Sequence, residues 1–438
     1  MTTTIAPTAK LGTLPDLMQP ATEGWRTRRG TAERTAVMTL TAAFIFQPIL
    51  HPSGPGNTSP VDLLLVASIV TGAIWARSGH HKLRAPYFIP FALMVAAGAA
   101  SGLVSVLPGL ALTTLATELL LFAWCTVIVN VLSSPRAMRY ALVAWSWSGI
   151  LWATVVVAAW LGHITSLEGL QAADGNRVIF TFGDPNYAGT YWLVTIFVVY
   201  AAGVPSARWM RFTGYVMLAW ALALSESNGA VLAFAISITF LLLVRAHRKR
   251  GMVGTLAVLL VVVLAVTVLL TAFPISGIRQ QALNSGQPLL VNSIGRSGQS
   301  TSERGQLEVE SLQLYRQSDG LLGLGPASTK PILTSQHAPY PNQAHNDLLA
   351  SLAERGVVGV LGLLLLVGTA VFWAAPLVRR RPSRGLAAAV PRPAGLVAAL
   401  LAFACISYYE EVLHFRFLWA LLGIVAVLGK DAKALRSA

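Results

Sequence analysis

His345-Asn346-Asp347-Leu348-Leu349-Ala350-Ser351-Leu352-Ala353-Glu354-Arg355-Gly356 closes a hydrophilic stretch that begins at Pro274, in a chain that is otherwise almost continuously apolar. Inside a bilayer each backbone N–H and C=O must be satisfied within the protein, so irregular polar chain of this length has to lie in water or over a polar cavity. The stretch therefore separates a long apolar part of the chain from a shorter one, and it is the first place to look for chemistry.

The flanks define what is interrupted. Of 438 residues, 55% are hydrophobic and 11% charged, and the mean hydropathy is +0.62, outside the composition of soluble globular domains. Apolar runs long enough to cross a hydrocarbon core, about 17 to 25 residues, fall near 34–50, 60–77, 86–107, 110–132, 138–162, 187–204, 209–225, 229–245, 252–273, 356–378, 389–408 and 413–429. They predict an all-α polytopic membrane protein of about twelve transmembrane helices. Its expected parts are a cytoplasmic tail 1–33, nine helices in 34–273, a large, partly helical extracytoplasmic loop 274–345, three helices in 346–429 and a second cytoplasmic tail 430–438. The N-terminal segment lacks the short apolar core of a cleaved leader and carries Lys10, Arg26, Arg28 and Arg29, as a cytoplasmic tail would.

Charge sets the expected orientation. With the N-terminus inside, the cytoplasmic segments hold 24 of the 32 Lys and Arg residues, in line with the positive-inside rule. The net charge of +14 is then a topological signal and not a footprint for nucleic acid. The long loop, the 163–186 loop, Ser225-Glu226-Ser227-Asn228-Gly229 and Tyr408-Tyr409-Glu410-Glu411 all fall outside. Cys125 and Cys405 sit in apolar runs and read as packing residues. No P-loop or dinucleotide fingerprint occurs.

The outer surface is net acidic, so each of its eight basic residues, Arg177, Arg279, Arg296, Arg304, Arg316, Lys330, Arg355 and Arg416, needs a reason. Arg177 opens a short β-prone or re-entrant segment that ends at Gly183-Asp184-Pro185-Asn186, where Asn186 can cap the next helix; pairing with Asp174 or Asp184 is its structural alternative. Arg304 follows Ser300-Thr301-Ser302-Glu303, which has capping-box spacing, and an i,i+4 pair with Glu308 is its alternative. His345 stands where polar loop becomes helix, with His345 or Asn346 as cap, and a neutral imidazole there can take a proton. His414 and Arg416 begin the last span beside Glu410 and Glu411, as site residues or as an interfacial ion cluster. No Asp-x-Asp or zinc-ligand spacing lies outside, so no metal or other cofactor is expected. Arginines suit phosphate because their planar fork stays charged and binds two oxygens, and a nearby histidine can deprotonate a hydroxyl.

Three segments then carry a resemblance: Arg177 through Phe182-Gly183-Asp184-Pro185-Asn186-Tyr187-Ala188, Arg304 through Gly323-Leu324-Gly325, and His345-Asn346-Asp347-Leu348-Leu349 with Glu354-Arg355-Gly356-Val357-Val358-Gly359. In this order the chain resembles the bacterial O-antigen ligase and O-antigen polymerase superfamily. The resemblance implies a GT-C-like enzyme of the cytoplasmic (inner) membrane, with its active site on the extracytoplasmic side. It would move a glycan, with inversion and without metal, from a polyprenyl-diphosphate carrier to a glycan, lipid or protein acceptor. Arg177 and Arg304 would hold the diphosphate and His345 would act on the acceptor hydroxyl. Asp184, Asn186, Asn346, Glu354, His414 and Arg416 are further candidates for substrate contact. Members often carry Ser-x-Ser-Arg-Gly where this chain reads Ser225-Glu226-Ser227-Asn228-Gly229; Asn228 stands in place of an arginine, which another residue such as Arg416 would replace unless the donor differs. The alternatives are a transporter or flippase, which twelve spans also suit, and an enzyme using a polyprenyl monophosphate.

Overall fold

The computed structural model describes residues 28–51, 58–79, 82–169, 177–272, 275–318, 321–379 and 385–437. Among them every regular element is a helix. Helices α1 (Arg28–Phe46), α2 (Pro60–Gly79), α3 (Phe88–Val104), α4 (Pro108–Val131) and α5 (Pro135–Leu161) come first. After the loop that carries Arg177 follow α6 (Pro185–Ala202), α7 (Arg208–Leu224) and α8 (Asn228–Ala272). The polar stretch is largely helical itself, with Ile275–Asn284, Thr329–Ser335 and the longer α9 (Ser297–Gln317). The chain ends in α10 (Asp347–Arg379), α11 (Ala394–Ile406) and α12 (Arg416–Ser437).

Among the described residues, five helical segments are long and apolar enough to cross a membrane, Pro60–Ser78, Pro108–Val131, Pro135–Leu161, Asn228–Ala272 and Asp347–Arg379. Helices α3 and α11 are apolar but shorter. Several apolar helices of this kind fit a polytopic membrane protein. Their outer faces agree: Leu63, Val66, Val70 and Ile74 of α2 recur every three or four residues and are 75%, 46%, 51% and 56% exposed, an apolar stripe suited to lipid.

Local chemistry sets the helix starts. Ser134 accepts a hydrogen bond from the Ala137 N–H ahead of Pro135, and Asp184 accepts from the Asn186 and Tyr187 N–H groups ahead of Pro185. Each is an N-cap followed by a proline at the position where a missing N–H costs nothing.

Some expected boundaries shift. The runs 229–245 and 252–273 form one helix, α8, broken at Gly251, where φ is +62°. Helix α1 begins at Arg28 and α12 continues to Ser437, so neither expected tail boundary is a structural one; residues 1–27 lie outside the described residues. Helix α9 starts at Ser297, one turn before the expected cap. Glu303 accepts from the Gln299 side chain at 2.9 Å instead of closing a capping box.

The core is built on α6 and α12, whose Tyr191, Trp192, Phe197, Phe417 and Trp419 are almost wholly buried. Helix α6 packs against α5, α7 and α11, while α12 packs against α4, α10 and α11. Tyr187 stacks on Phe415 at 3.8 Å and 3° between planes, tying the outset of α6 to that of α12.

Two acidic residues that the hydropathy places inside spans each meet an arginine. Asp62 of α2 takes a two-pronged hydrogen bond from Arg416 of α12, at 2.7 and 2.6 Å, and Glu118 of α4 pairs with Arg355 of α10. Both pairs are buried. A charge in such a place is tolerated only when matched.

Helix α10 breaks at Gly356, where φ is +62°, and the break receives the loop after α9. The Leu324 and Gly325 N–H groups donate to the carbonyls of Ala353 and Glu354, both at 2.9 Å. A Cβ on Gly356 would lie 2.1 Å from the Leu321 carbonyl oxygen, and one on Gly323 2.5 Å from the backbone of Glu354. Glu354 accepts from the Ala327 N–H at 2.8 Å and from the Thr329 hydroxyl at 2.8 Å. The Gly323-Leu324-Gly325 and Glu354-Arg355-Gly356 segments are thus two halves of one docking joint. Gly356→Ala is expected to cost at least the 1–3 kcal/mol of a left-handed non-glycine residue, plus the clash with Leu321, read as a fall in thermal stability in detergent; unchanged stability would remove this account of the joint.

Candidate functional site

Four loop segments meet at one end of the bundle: Arg177–Asp184, Ser225–Ser227, the polar stretch and Ser407–Phe415. Arg177 enters on irregular chain; the Val178 N–H donates to the Leu224 carbonyl at 3.3 Å and the Phe180 N–H to that of Glu168 at 2.9 Å. No strand or helix forms over 177–184. Arg177 is 3% exposed. Its Nε donates to the Ser225 carbonyl at 3.0 Å and its Nη2 lies 3.4 Å from the Asn186 Oδ1. Asp184 is used as the cap of α6, and Asp174 lies outside the described residues.

From Asn186 a chain of contacts leads to His345. The Asn186 amide donates to Glu410 Oε2 at 3.1 Å, and Glu410 Oε1 lies 2.9 Å from His345 Nδ1. The Ser227 hydroxyl donates to Asn186 Oδ1 at 2.9 Å, fixing the amide's orientation. His345 has φ of +48°, a left-handed backbone unusual for a side chain of this size and of the kind found where surrounding contacts over-determine a functional position.

His345-Asn346-Asp347 clasps the Ser407–Leu413 turn. Asn346 caps α10 through the Leu348 N–H at 2.9 Å, and its amide reaches the Tyr408 carbonyl at 3.4 Å. The Asp347 N–H donates to the Ser407 carbonyl at 3.0 Å, while the Asp347 carboxylate takes the Val412 N–H at 3.1 Å. Arg304 reaches the same turn from α9, with its guanidinium carbon 5.4 Å from the centroid of Tyr409, within cation–π range. That contact, and not an ion pair with Glu308, is what the structure provides for Arg304 among the described residues.

Arg177, Arg304 and His345 line one cavity of about 340 Å³, together with Asp184, Asn186, Arg296 and Glu303. Three arginines against two carboxylates make the wall net positive, in a volume typical of small-ligand sites. Burial pushes the Asp184 carboxyl up to about 6, reinforced by the nearby Glu410 charge. For His345 burial alone would lower the pKa, but the Glu410 carboxylate and its hydrogen bond outweigh it and hold the imidazole above its ordinary value. Burial also pushes Glu226 up to about 7, against the opposing pull of Arg177 and Arg296.

The remaining sequence candidates lie elsewhere. Arg416 is held by Asp62 and does not line the cavity, so it does not stand in for an arginine at position 228. His414 packs edge-on to Tyr187, 5.9 Å between ring centres, behind the Glu410 turn. Glu354 belongs to the loop joint and Asn346 to the helix cap. Asn228, exposed at the start of α8, donates to the Ser293 carbonyl at 2.9 Å. Sequence reasoning passed over Glu410 and Arg296 as site residues. The polar Tyr408-Tyr409-Glu410-Glu411 turn was the signal for the first, and its pairing with His345 spans 65 positions. Among the described residues no group of three or more His, Cys, Asp or Glu is placed to share a metal ion.

Residues 213–364, which include Arg296, Arg304 and His345, match the family model described as O-antigen ligase. The match covers about a third of the chain and is a likeness to that family over this stretch. The match leaves outside its bounds Arg177, Asp184 and Asn186, which line the cavity, and Glu410, which pairs with His345, so these residues come from chain on either side of the matched stretch. No curated protein matches the chain.

Proposed function

We propose that this O-antigen ligase-like protein is a membrane glycosyltransferase that moves a glycan from a polyprenyl-diphosphate carrier to an acceptor hydroxyl, with the cavity on the extracytoplasmic side of the inner membrane. The observation that carries the reading is the continuous link from His345 through Glu410 and Asn186 to Arg177, in a cavity also lined by Arg304. It joins a proton acceptor to a phosphate-binding group. A GT-C-like arrangement of about twelve spans belongs to the same proposal.

Glu410 holds the imidazole through Nδ1, which leaves Nε2 to accept the proton of the acceptor hydroxyl. The acceptor oxygen then attacks the anomeric carbon from the face opposite the carrier, the bond from that carbon to the phosphate oxygen breaks, and the electron pair leaves with the polyprenyl diphosphate. Arg177 and Arg304 stabilise the charge that grows on the leaving group, the role a metal ion fills in other transferases. The sugar inverts.

Two measurements bear on this. The full-length protein, given a polyprenyl-diphosphate glycan and EDTA, is expected to keep releasing polyprenyl diphosphate in the presence of acceptor; dependence on added divalent metal overturns the metal-free scheme. The second is the pH profile. His345 works as the neutral base and Glu410 raises its pKa, so transfer is expected to rise with pH through a midpoint above 6.5. In Glu410→Gln the raising carboxylate is gone while burial remains, so the midpoint moves down as the rate falls. A midpoint that stays in place removes the dyad.

A further inference from the structure

Arg296 is presented by a turn that several independent contacts hold. Residues Val291–Gly295 form a π-helical turn, closed by the Arg296 N–H donating to the Val291 carbonyl at 2.9 Å. Such turns displace the residues after them and recur at functional positions. Asn228 pins the turn from α8 through the Ser293 carbonyl at 2.9 Å. Arg279 pins it from the other side, its Nε donating to the Gly295 carbonyl at 3.1 Å. The Arg296 Nε donates to the Asn292 carbonyl at 3.3 Å, and Asn292 is also hydrogen-bonded to Glu226, which feels both Arg177 and Arg296. The guanidinium so placed lines the same cavity as Arg177 and Arg304.

The carboxylates on that wall do not use up this charge. Asp184 spends itself on the Asn186 and Tyr187 N–H groups, and Glu303 accepts from Gln299. A carrier linked to sugar through one phosphoryl group brings one negative charge and two non-bridging oxygens, which the forks of Arg177 and Arg304 can already hold; a diphosphate link brings two charges and four such oxygens. A third fork on the wall has work to do only with the larger anion.

We propose that Arg296 is the specificity-determining arginine of this cavity, contacting the second phosphoryl group and making the site select a polyprenyl diphosphate over a polyprenyl monophosphate. The inference rests on the transferase reading above. Asn228 serves it as a positioning residue: its side chain holds the turn and does not meet the phosphate.

The test is equilibrium binding of a sugar-linked polyprenyl diphosphate and of the sugar-linked monophosphate of equal chain length to the full-length protein in lipid nanodiscs. Wild type is expected to prefer the diphosphate, and Arg296→Ala to weaken diphosphate binding by roughly tenfold, about one charge-assisted contact, with monophosphate binding changed by less than about twofold. Arg296→Lys is expected to restore part of the preference, and Asn228→Ala to reduce it with the charge still present. Arg177→Ala is expected to weaken both ligands. An Arg296→Ala variant that keeps the preference, or that loses both ligands equally, overturns the assignment while the transferase reading stands. A wild type that binds neither ligand, or whose binding is indifferent to Arg177→Ala, overturns the transferase reading and this inference with it.

Discussion

His345→Ala is expected to lower glycan transfer by about 10² to 10⁴-fold, the usual worth of a positioned general base, with little change in carrier binding, because the phosphate-binding arginines remain. Glu410→Gln is expected to fall in the same direction by a smaller factor. The double variant should be scarcely worse than His345→Ala, since residues that act as one unit lose their joint effect once. Glu410 touches both the imidazole and Asn186 at hydrogen-bond distance, so the comparison has a physical basis. Rates of transfer and carrier binding measured separately decide it: effects of the two single changes that multiply in the double variant would mean that Glu410 acts independently of His345, and wild-type transfer in His345→Ala would remove the base altogether.

The second large effect is on stability and not on chemistry. Arg416 and Asp62 are both buried and meet through two hydrogen bonds at 2.7 and 2.6 Å, joining α12 to α2. Arg416→Ala or Asp62→Ala leaves one charge without its counter-charge in a dry interior, which costs about 3–5 kcal/mol. Replacing both partners with apolar residues of similar size is expected to cost much less, because no charge is then stranded. Thermal unfolding of the purified protein in detergent measures all three. If either single variant is as stable as wild type, the pair is not holding α2 to α12; if Arg416→Ala is stable yet loses carrier binding, the arginine is a site residue after all, as its place beside Glu410 and Glu411 first suggested.

The buried pairs also bear on the transporter alternative. A carrier of ions or protons needs acidic groups within its spans that can exchange partners. Asp62 and Glu118, the two acids that hydropathy places there, are each matched by an arginine of a distant helix. That arrangement suits a fixed scaffold around a cavity better than a path through the bilayer.

What was legible in the sequence is what the chain settles over a few residues. The apolar lengths foretell the helices because a backbone in hydrocarbon must close its own hydrogen bonds. Asn346 marks a helix start because a side-chain oxygen can reach the N–H groups two or three residues on; for α6 the cap is Asp184, two positions before the expected Asn186. The break at Gly356 was not legible, because it is the joint with Leu321 that needs a positive φ and the absence of a Cβ there. Arg177, Arg304 and His345 stood out because polar groups at the edge of an apolar chain are costly unless used.

The partners of those residues were not legible, and the reason is distance along the chain. Arg416 beside Glu410 and Glu411 reads locally as a member of the site, yet its carboxylate lies 354 positions away in α2. Glu410 reads locally as one acid of a surface pair, yet it is the contact between His345 and Asn186, the latter 224 positions earlier. Arg296 has no local signature, and only the turn pinned from Asn228 and Arg279 brings it to the cavity. Composition and period by themselves determined a helical membrane chain with one polar stretch of chemical interest, because solvent and backbone hydrogen bonding act residue by residue. Which arginine meets a carboxylate and which faces the cavity was decided only by the packing of helices remote in sequence, since a charge is matched by whatever the fold sets within a few ångströms of it.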